Sequence, residues 1–517
     1  MKKILYIASA LAFIACGASK DASKEDANVD QAAKYAATIT AKELSEHLYI
    51  YASDEFEGRE TGEPGQKKAI EYLKKQYVSL KIPSPISKDD YFQEVPLMKQ
   101  ENPEINFTVG DKSFKIGDDL VSVLDGSDAT ITESEIIYVG FGIENEKYSN
   151  YKDIDVKDKV VLIKEGEPKI GDSYMISGTN ESSKWSTREQ YGAKREVAIA
   201  KGAKAILFFS PEIYPMISEQ YGKSSSRMSL KNNKESDKMF YFFVNASMAK
   251  TILPTIDTDS ESKAIKTPIS FTYKERSKEF TSENVVAFIK GTEKPDEILV
   301  ISAHLDHEGI KDGEIYNGAD DDGSGTVALL EIAEAFKMAS NAGKGPKRSI
   351  LFLHVTGEEK GLLGSSHYTD IDPIFPLENT IADLNVDMIG RTDPERKSEN
   401  RNYIYLIGSD KLSTELHTVS EEVNKKYTNI ELDYTYNDEN DPNRFYYRSD
   451  HYNFAKNNVP VIFYFNGTHD DYHQPSDTPD KIEYDLLENR TRLVFHTAWE
   501  LANRENRIVV DKAEKKE

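Results

Sequence analysis

The chain of 517 residues has a single cysteine, Cys16, so no disulfide can form within it in any redox compartment. Positive charge is in deficit: 65 Lys and Arg stand against 89 Asp and Glu, a net charge of −24. That balance argues against nucleic acid as a partner and against electrostatic adsorption to anionic membranes. A surface of that sign draws cations, including a substrate with a free ammonium group. The apolar run Ile4 to Ala15 falls short of the roughly 20 residues that a spanning helix needs. With 38% apolar and 30% charged residues, the composition is that of a soluble globular protein long enough for two or three domains.

Residues 1–16 read as a signal segment, with Lys2-Lys3, the apolar run, then Cys16-Gly17. A lone Cys directly after the apolar run, preceded by the small Ala15, resembles a bacterial lipoprotein signal. That resemblance implies export and a lipid on Cys16 as the only membrane attachment, in the cell envelope (outer membrane, cell surface or periplasm); the alternative is ordinary secretion with cleavage nearby. Phe13 departs from the usual Leu of such signals. Residues 17–37, rich in Ala, Ser, Lys and Asp, read as a flexible tether.

Within 38–124, Thr40 to Glu43 reads as a capped helix start, followed by Leu44, Leu48 and Tyr51 at helical spacing. A second amphipathic helix carries Ala69, Leu73 and Tyr77. Between the two, Asp54 to Gly65 is dense in turn residues and by itself reads as a surface turn. Residues 125–278 are β-rich, with Val160 to Ile163 and Ala205 to Phe209 as buried strands, and read as an inserted domain. From 279 to 510 strands alternate with helices. That pattern predicts an α/β fold, a mostly parallel mixed sheet flanked by helices, with sites beyond the carboxyl ends of its strands.

The chemistry-bearing residues fall at such ends. The run Ile298 to Ala303 stops in His304, Asp306 and His307, and Asp320-Asp321-Asp322 follow a short loop later. Imidazoles and carboxylates crowded there suit a divalent metal, above all zinc. Asp306 leaves the chain on the same face as His304, so its carboxylate is expected to hold one ring nitrogen while the other binds metal. Ser349 to Val355 leads to Glu358-Glu359, where one carboxylate can bind metal while its neighbour accepts a proton. Ile381 to Val386 ends in Asp387. After Val459 to Phe465 come His469 and His473, and with His451 they leave the last ligand open among three.

In order, His304-Leu-Asp306, Asp320 to Gly325, Glu358 to Ser365, Asn385 to Gly390 and Tyr472 to Asp477 resemble the five motifs of metallopeptidase family 28. This family comprises the two-zinc aminopeptidases and their carboxypeptidase relatives. Phe56 to Gly62 is similar to that family's N-terminal segment, and Asp158 to Ile163 with Ala200 to Ile206 resembles a protease-associated domain. The resemblance implies a zinc-exopeptidase fold and two zinc ions. It makes His304 and Asp387 ligands of one zinc, Glu359 and His473 of the other, and Asp321 the bridge, with a cis peptide after it. Asp306 would orient His304. Glu358 would be the general base, moving a proton from a zinc-activated water to the leaving amine. Tyr472 would stabilise the oxyanion. The implied function is an extracytoplasmic aminopeptidase acting on peptides. The alternatives are a carboxypeptidase for acidic peptides, with Arg391, Arg444 or Arg448 as clamp, and a non-catalytic binding protein.

Overall fold

The computed structural model describes residues 30–512 apart from 124–125, 223–225 and 232–238. The signal segment and Cys16 lie outside the described residues. The described chain divides into two units, one from the segments before Glu94 and after Ser282, the other Glu94–Ser282.

The first unit begins earlier than expected. A helix α1 (Gln31–Ala36), capped by the Asp30 carboxylate, occupies part of the stretch read as tether. Its buried Ala32, Tyr35 and Ala36 supply the apolar face, and Tyr35 stacks on Trp499 at 5.9 Å. Three small or aromatic residues among Lys and Asp gave too weak a period to be seen. Helix α2 (Ala41–Tyr51) starts as the sequence implied: Thr40 Oγ1 accepts from the Glu43 N–H at 3.2 Å and donates to the Glu43 carboxylate at 2.7 Å. Helix α3 (Pro64–Ser79) buries Ala69, Leu73 and Tyr77.

The sheet of this unit holds β1 (Lys278–Ile289), β2 (Lys294–His304), β3 (Arg348–Val355), β4 (Thr380–Val386), β5 (Tyr403–Ile407), β6 (Glu431–Asp433) and β7 (Val461–Phe465). Their order is β1-β3-β2-β4-β7-β5-β6. The four central strands, β3, β2, β4 and β7, run parallel, while β1 and β5 join antiparallel. Continuous apolar runs arise because both faces are covered. Leu299, Ile301 and Ala303 of β2 pack into one core with α2, helix α4 (Gly325–Asn341) and helix α5 (Tyr484–Asn503). Ile298 and Val300 pack into another with Leu351, Leu353, Tyr368 and Phe454. The register sets His304 beside Val355 and Ser302 beside Asn385, so β2, β3 and β4 end at one edge.

The second unit starts at Glu94 rather than 125. The reason is strand pairing: Ile269–Lys274 pairs with Glu104–Val109, and Phe107 stacks on Phe271 at 5.1 Å. These strands belong to a four-stranded sheet with Lys112–Phe114 and Ala129–Glu133. A six-stranded sheet centred on Val160–Lys164 and Ala205–Phe209 shares a core with it, Phe242 and Leu207 facing Phe107 and Phe271.

Candidate metal centre

The strand ends bring the donors together. His304 closes β2, and its Nδ1–H donates to the Asp306 carbonyl oxygen at 3.0 Å. This turns Nε2 into the site, 3.0 Å from Asp321 Oδ1 and 3.6 Å from Asp387 Oδ1. An imidazole nitrogen facing two carboxylate oxygens needs a positive charge between them, either a proton on the ring or a metal ion. The same arrangement recurs on the other side of Asp321: His473 Nε2 is 3.0 Å from Oδ2 and 3.1 Å from Glu359 Oε2. All five residues named from the sequence as metal ligands therefore meet, with Asp321 common to both groups. His304, Asp321 and Asp387 form one candidate set, and His307, Asp321 and Glu359 another.

The three consecutive Asp divide their tasks. Asp320 accepts from the Gly390 N–H at 2.7 Å, and its other oxygen is 3.1 Å from His469 Nε2. Asp322 accepts from the N–H groups of His304, Gly325 and Met388 at 2.9–3.1 Å. Asp321 alone turns into the site, and the peptide between it and Asp322 is cis. Asp477 accepts from the backbone N–H of both Asp320 and Asp321, fixing the run from below. Of the three competing histidines, His451 is stacked on Phe463 in the core at 4.7 Å and His469 is engaged by Asp320. His473 is the one at the site.

One expected contact differs. The Asp306 carboxylate stands 4.0 Å from His304 Nδ1 and does not hold the ring. It is occupied elsewhere, accepting from Thr61 Oγ1 at 2.7 Å and the Glu358 N–H at 3.2 Å. Asp306 thus orients His304 through its main chain and uses its side chain to hold the Glu358 turn.

Charge balance points to cations. Burial opposes charge on His304, yet Asp387 and Asp321 hold its pKa well above the ordinary histidine value. Burial likewise opposes His473, but Asp321 and Glu359 hold it up at about 10. Burial and the Asp321 charge would raise Glu359, but His307 and His473 pull it down to about 2. Protons on imidazole here balance charge that a metal ion would otherwise balance. Glu358, outside both donor sets, is pushed well above the usual carboxyl range by burial, then by Glu359 and Asp387. It lines a cavity with Asp321, Asp387, Tyr472 and Arg448, walled by Met388, Phe445, Phe463 and Phe465. Tyr472 stacks on His473 at 3.9 Å, and burial followed by the Asp321, Glu359 and Glu358 charges keeps its phenol protonated.

Residue-by-residue reading placed His307 in the cluster without giving it a role, and it missed three further contributors. His307 Nδ1 lies 2.8 Å from Glu359 Oε1, but no aligned hydrogen bond joins them, and both His307 nitrogens are buried without a hydrogen-bond partner among the described residues. Ser449 donates to Asp387 at 2.7 Å. Arg59, fully buried, donates to the carbonyls of Leu305, Asn317 and Gly318 that frame the loop between His304 and Asp320. Thr61 holds Asp306 from the same turn. That turn is no surface feature: Gly58 (φ 66°) packs where a Cβ would meet the Tyr316 and Gly309 carbonyls at 2.4–2.5 Å. The similarity of Phe56 to Gly62 to a family segment was the only signal for it.

Residues 284–498 match the family described as peptidase family M28. Over these residues the chain is similar to peptidase family M28. Among curated relatives, a 122-residue stretch is 36% identical to the probable glutamate carboxypeptidase VP8 of Zea mays, covering 23% of this chain and 16% of that one. A 120-residue stretch is 35% identical to the aminopeptidase YwaD of Bacillus subtilis, covering 23% and 24%. The chain spans less than a quarter of the length of either relative. The aminopeptidase from Aneurinibacillus sp. strain AM-1 superimposes with a TM-score of 0.52 at 18% identity, over 93% of this chain and 98% of that one, a likeness of fold.

Proposed function

We propose that the protein is a two-zinc exopeptidase, an aminopeptidase that removes N-terminal residues from peptides with Glu358 as general base. The observation that carries this reading is the shared carboxylate: Asp321 presents one oxygen to His304 and the other to His473, each at 3.0 Å. His304, Asp321 and Asp387 would hold one ion, and Asp321, Glu359 and His473, joined by His307, the other. Imidazole and carboxylate donors in such sets fit zinc. When bound, the pair would supply Lewis acidity to the scissile carbonyl and lower the pKa of water.

The chain's own groups do the rest. Glu358 takes the proton of the attacking water and passes it to the leaving amine. The Asp306 carboxylate fixes the backbone from which Glu358 projects. The Tyr472 hydroxyl, protonated and facing the same cavity, donates to the developing oxyanion. Met388, Phe445, Phe463 and Phe465 fit an apolar side chain on the N-terminal residue.

A carboxypeptidase reading draws on one residue. Arg391 is paired with Asp471 at 3.0 Å and Arg444 lies over the Tyr447 ring beside a different cavity. Arg448 is at the cavity of Glu358, within 3.4 Å of the Tyr472 hydroxyl, with no carboxylate partner among the described residues. It could receive a terminal carboxylate, and relatives include a probable glutamate carboxypeptidase as well as an aminopeptidase. Hydrolysis of leucyl- and phenylalanyl-p-nitroanilide, compared with N-blocked dipeptides ending in glutamate and run with and without chelator, separates the readings. Chelator-sensitive cleavage of the anilides supports the aminopeptidase. Cleavage of the blocked substrates alone sinks it. Zinc binding with no hydrolysis of either class would leave a binding protein.

The proposal extends to location and architecture. The signal-like residues 1–16 support an exported protein anchored in the cell envelope by a lipid on Cys16, which fatty-acid labelling of the protein and of Cys16→Ala tests. The β-rich unit Glu94–Ser282 supports a protease-associated-like domain.

A further inference from the structure

Beside its core the second unit carries a cavity of about 640 Å³, in the range of sites that hold small organic molecules and short peptides. It lies between the helix Gln190–Ala200, the one-turn helix Tyr214–Ile217 and one face of the six-stranded sheet. Its floor is aromatic and braced. Tyr241 and Phe243 meet edge to face at 5.2 Å, Tyr191 packs on Phe243 at 5.7 Å, and the Tyr241 hydroxyl donates to the Tyr191 carbonyl. The Gln190 side chain is also held, accepting from buried Lys194 Nζ at 2.9 Å and from the Gly166 N–H at 2.7 Å. These walls are built before any ligand arrives.

Charge at this cavity runs against the rest of the chain. Arg188 and Arg195 line it, and neither makes a hydrogen bond or ion pair among the described residues. Glu212 is the single carboxylate among the lining residues and lies beyond ion-pair distance of both. A wall with two guanidiniums unpaired among the described residues, Arg188 exposed and Arg195 half-buried, and one carboxylate stands out in a molecule of net charge −24. Guanidinium groups beside aromatic faces favour a planar carboxylate on an apolar body. Glu212 works against a multiply charged anion such as a nucleotide.

We propose that this cavity is a binding site for the carboxyl-terminal end of a peptide whose last residue is aromatic or apolar, the carboxylate on Arg188 and Arg195 and the side chain on the Tyr191, Tyr241 and Phe243 floor. The assignment is independent of the metal centre. A free aromatic acid shares this chemistry, and the test distinguishes the two sources.

The test is calorimetric titration of the full chain with N-acetyl-alanyl-alanyl-phenylalanine, its C-terminal amide and N-acetyl-phenylalanine; the acetyl group blocks aminopeptidase cleavage. Saturable binding of the peptide acid is expected, with the amide at least tenfold weaker. The double variant Arg188→Gln/Arg195→Gln is expected to weaken the acid at least tenfold while hydrolysis of leucyl-p-nitroanilide and the melting temperature stay unchanged. Met216→Trp, a substitution at a 58%-exposed residue on the cavity rim, is expected to weaken it too by filling the mouth. N-acetyl-phenylalanine binding as tightly as the peptide assigns the site to free aromatic acids, and weaker binding assigns it to peptide ends. Equal binding of acid and amide, no binding at millimolar concentration, or full binding retained by both variants overturns the proposal.

Discussion

Replacing Arg59 by Met removes a charge that touches neither donor set, yet the effect should reach both. The guanidinium donates to Leu305 O at 3.1 Å, Tyr51 O at 3.2 Å, Asn317 O at 2.6 Å and Gly318 O at 2.9 Å, and lies over the Tyr51 ring. Methionine keeps most of the apolar stem and none of these bonds. Leu305 O would keep the Tyr51 hydroxyl at 2.9 Å, and Gly318 O the Gly323 N–H at 3.2 Å. The carbonyls of Tyr51 and Asn317 would be left buried without a donor among the described residues. At about 1–3 kcal/mol for each unpaired buried group, the loss should be about 2–6 kcal/mol. The loop from Leu305 to Gly318 would loosen with it, shifting His304 relative to Asp321. Urea unfolding, read with metal content after dialysis, checks both effects. Arg59→Lys should fall between, since an ammonium cannot reproduce the fork. Arg59→Met within 0.5 kcal/mol (about one-third of a 1.4 kcal/mol tenfold step) of the parent, with full metal content, would refute the reasoning.

Glu358→Gln should retain metal and lose kcat by about 10²–10⁴, the usual share of a general base; near-normal turnover in the metal-replete variant removes Glu358 from that role. His307→Ala should weaken the ion at Asp321 and Glu359 while sparing the one at His304 and Asp387, visible as one weakened step in a metal titration. Away from the site, Glu331 in α4 is buried, and burial followed by the charges of Glu43, Glu334 and Glu46 raises its pKa to about 8. The folded state therefore binds this proton more tightly than the unfolded chain. The resulting stability is full below the ordinary carboxyl range and is lost as pH rises through about 8. Glu331→Gln should flatten that fall, by up to about 4 kcal/mol, in unfolding midpoints measured from pH 5 to 9. Parallel pH profiles would contradict it.

The strands that carry the donors were legible because β2, β3, β4 and β7 are buried on both faces, and such strands write themselves as unbroken apolar runs ending in chemistry-bearing residues. Which imidazole completes the site was not legible: His451, His469 and His473 follow or precede the same strand, and only tertiary packing sends His451 to the core. The Asp306 carboxylate shows the limit of a local rule. Its place beside His304 was read correctly from strand alternation, but Thr61 and the Glu358 backbone, remote in sequence, compete for its oxygens. Arg59 is the same lesson at larger scale, since nothing local marks a charged residue in a Gly-rich turn as fully buried. The domain edge at Glu94 was missed because pairing of Glu104–Val109 with Ile269–Lys274 joins segments far apart along the chain.

The most direct test of the account is zinc stoichiometry by equilibrium dialysis and atomic emission, on the parent, on Asp387→Ala and on Asp321→Ala. Two ions per chain are predicted for the parent, one for Asp387→Ala, and weakened binding of both for Asp321→Ala, whose two oxygens serve both donor sets. A parent that binds one ion or none, or an Asp321→Ala chain that keeps two with undiminished affinity, would contradict it.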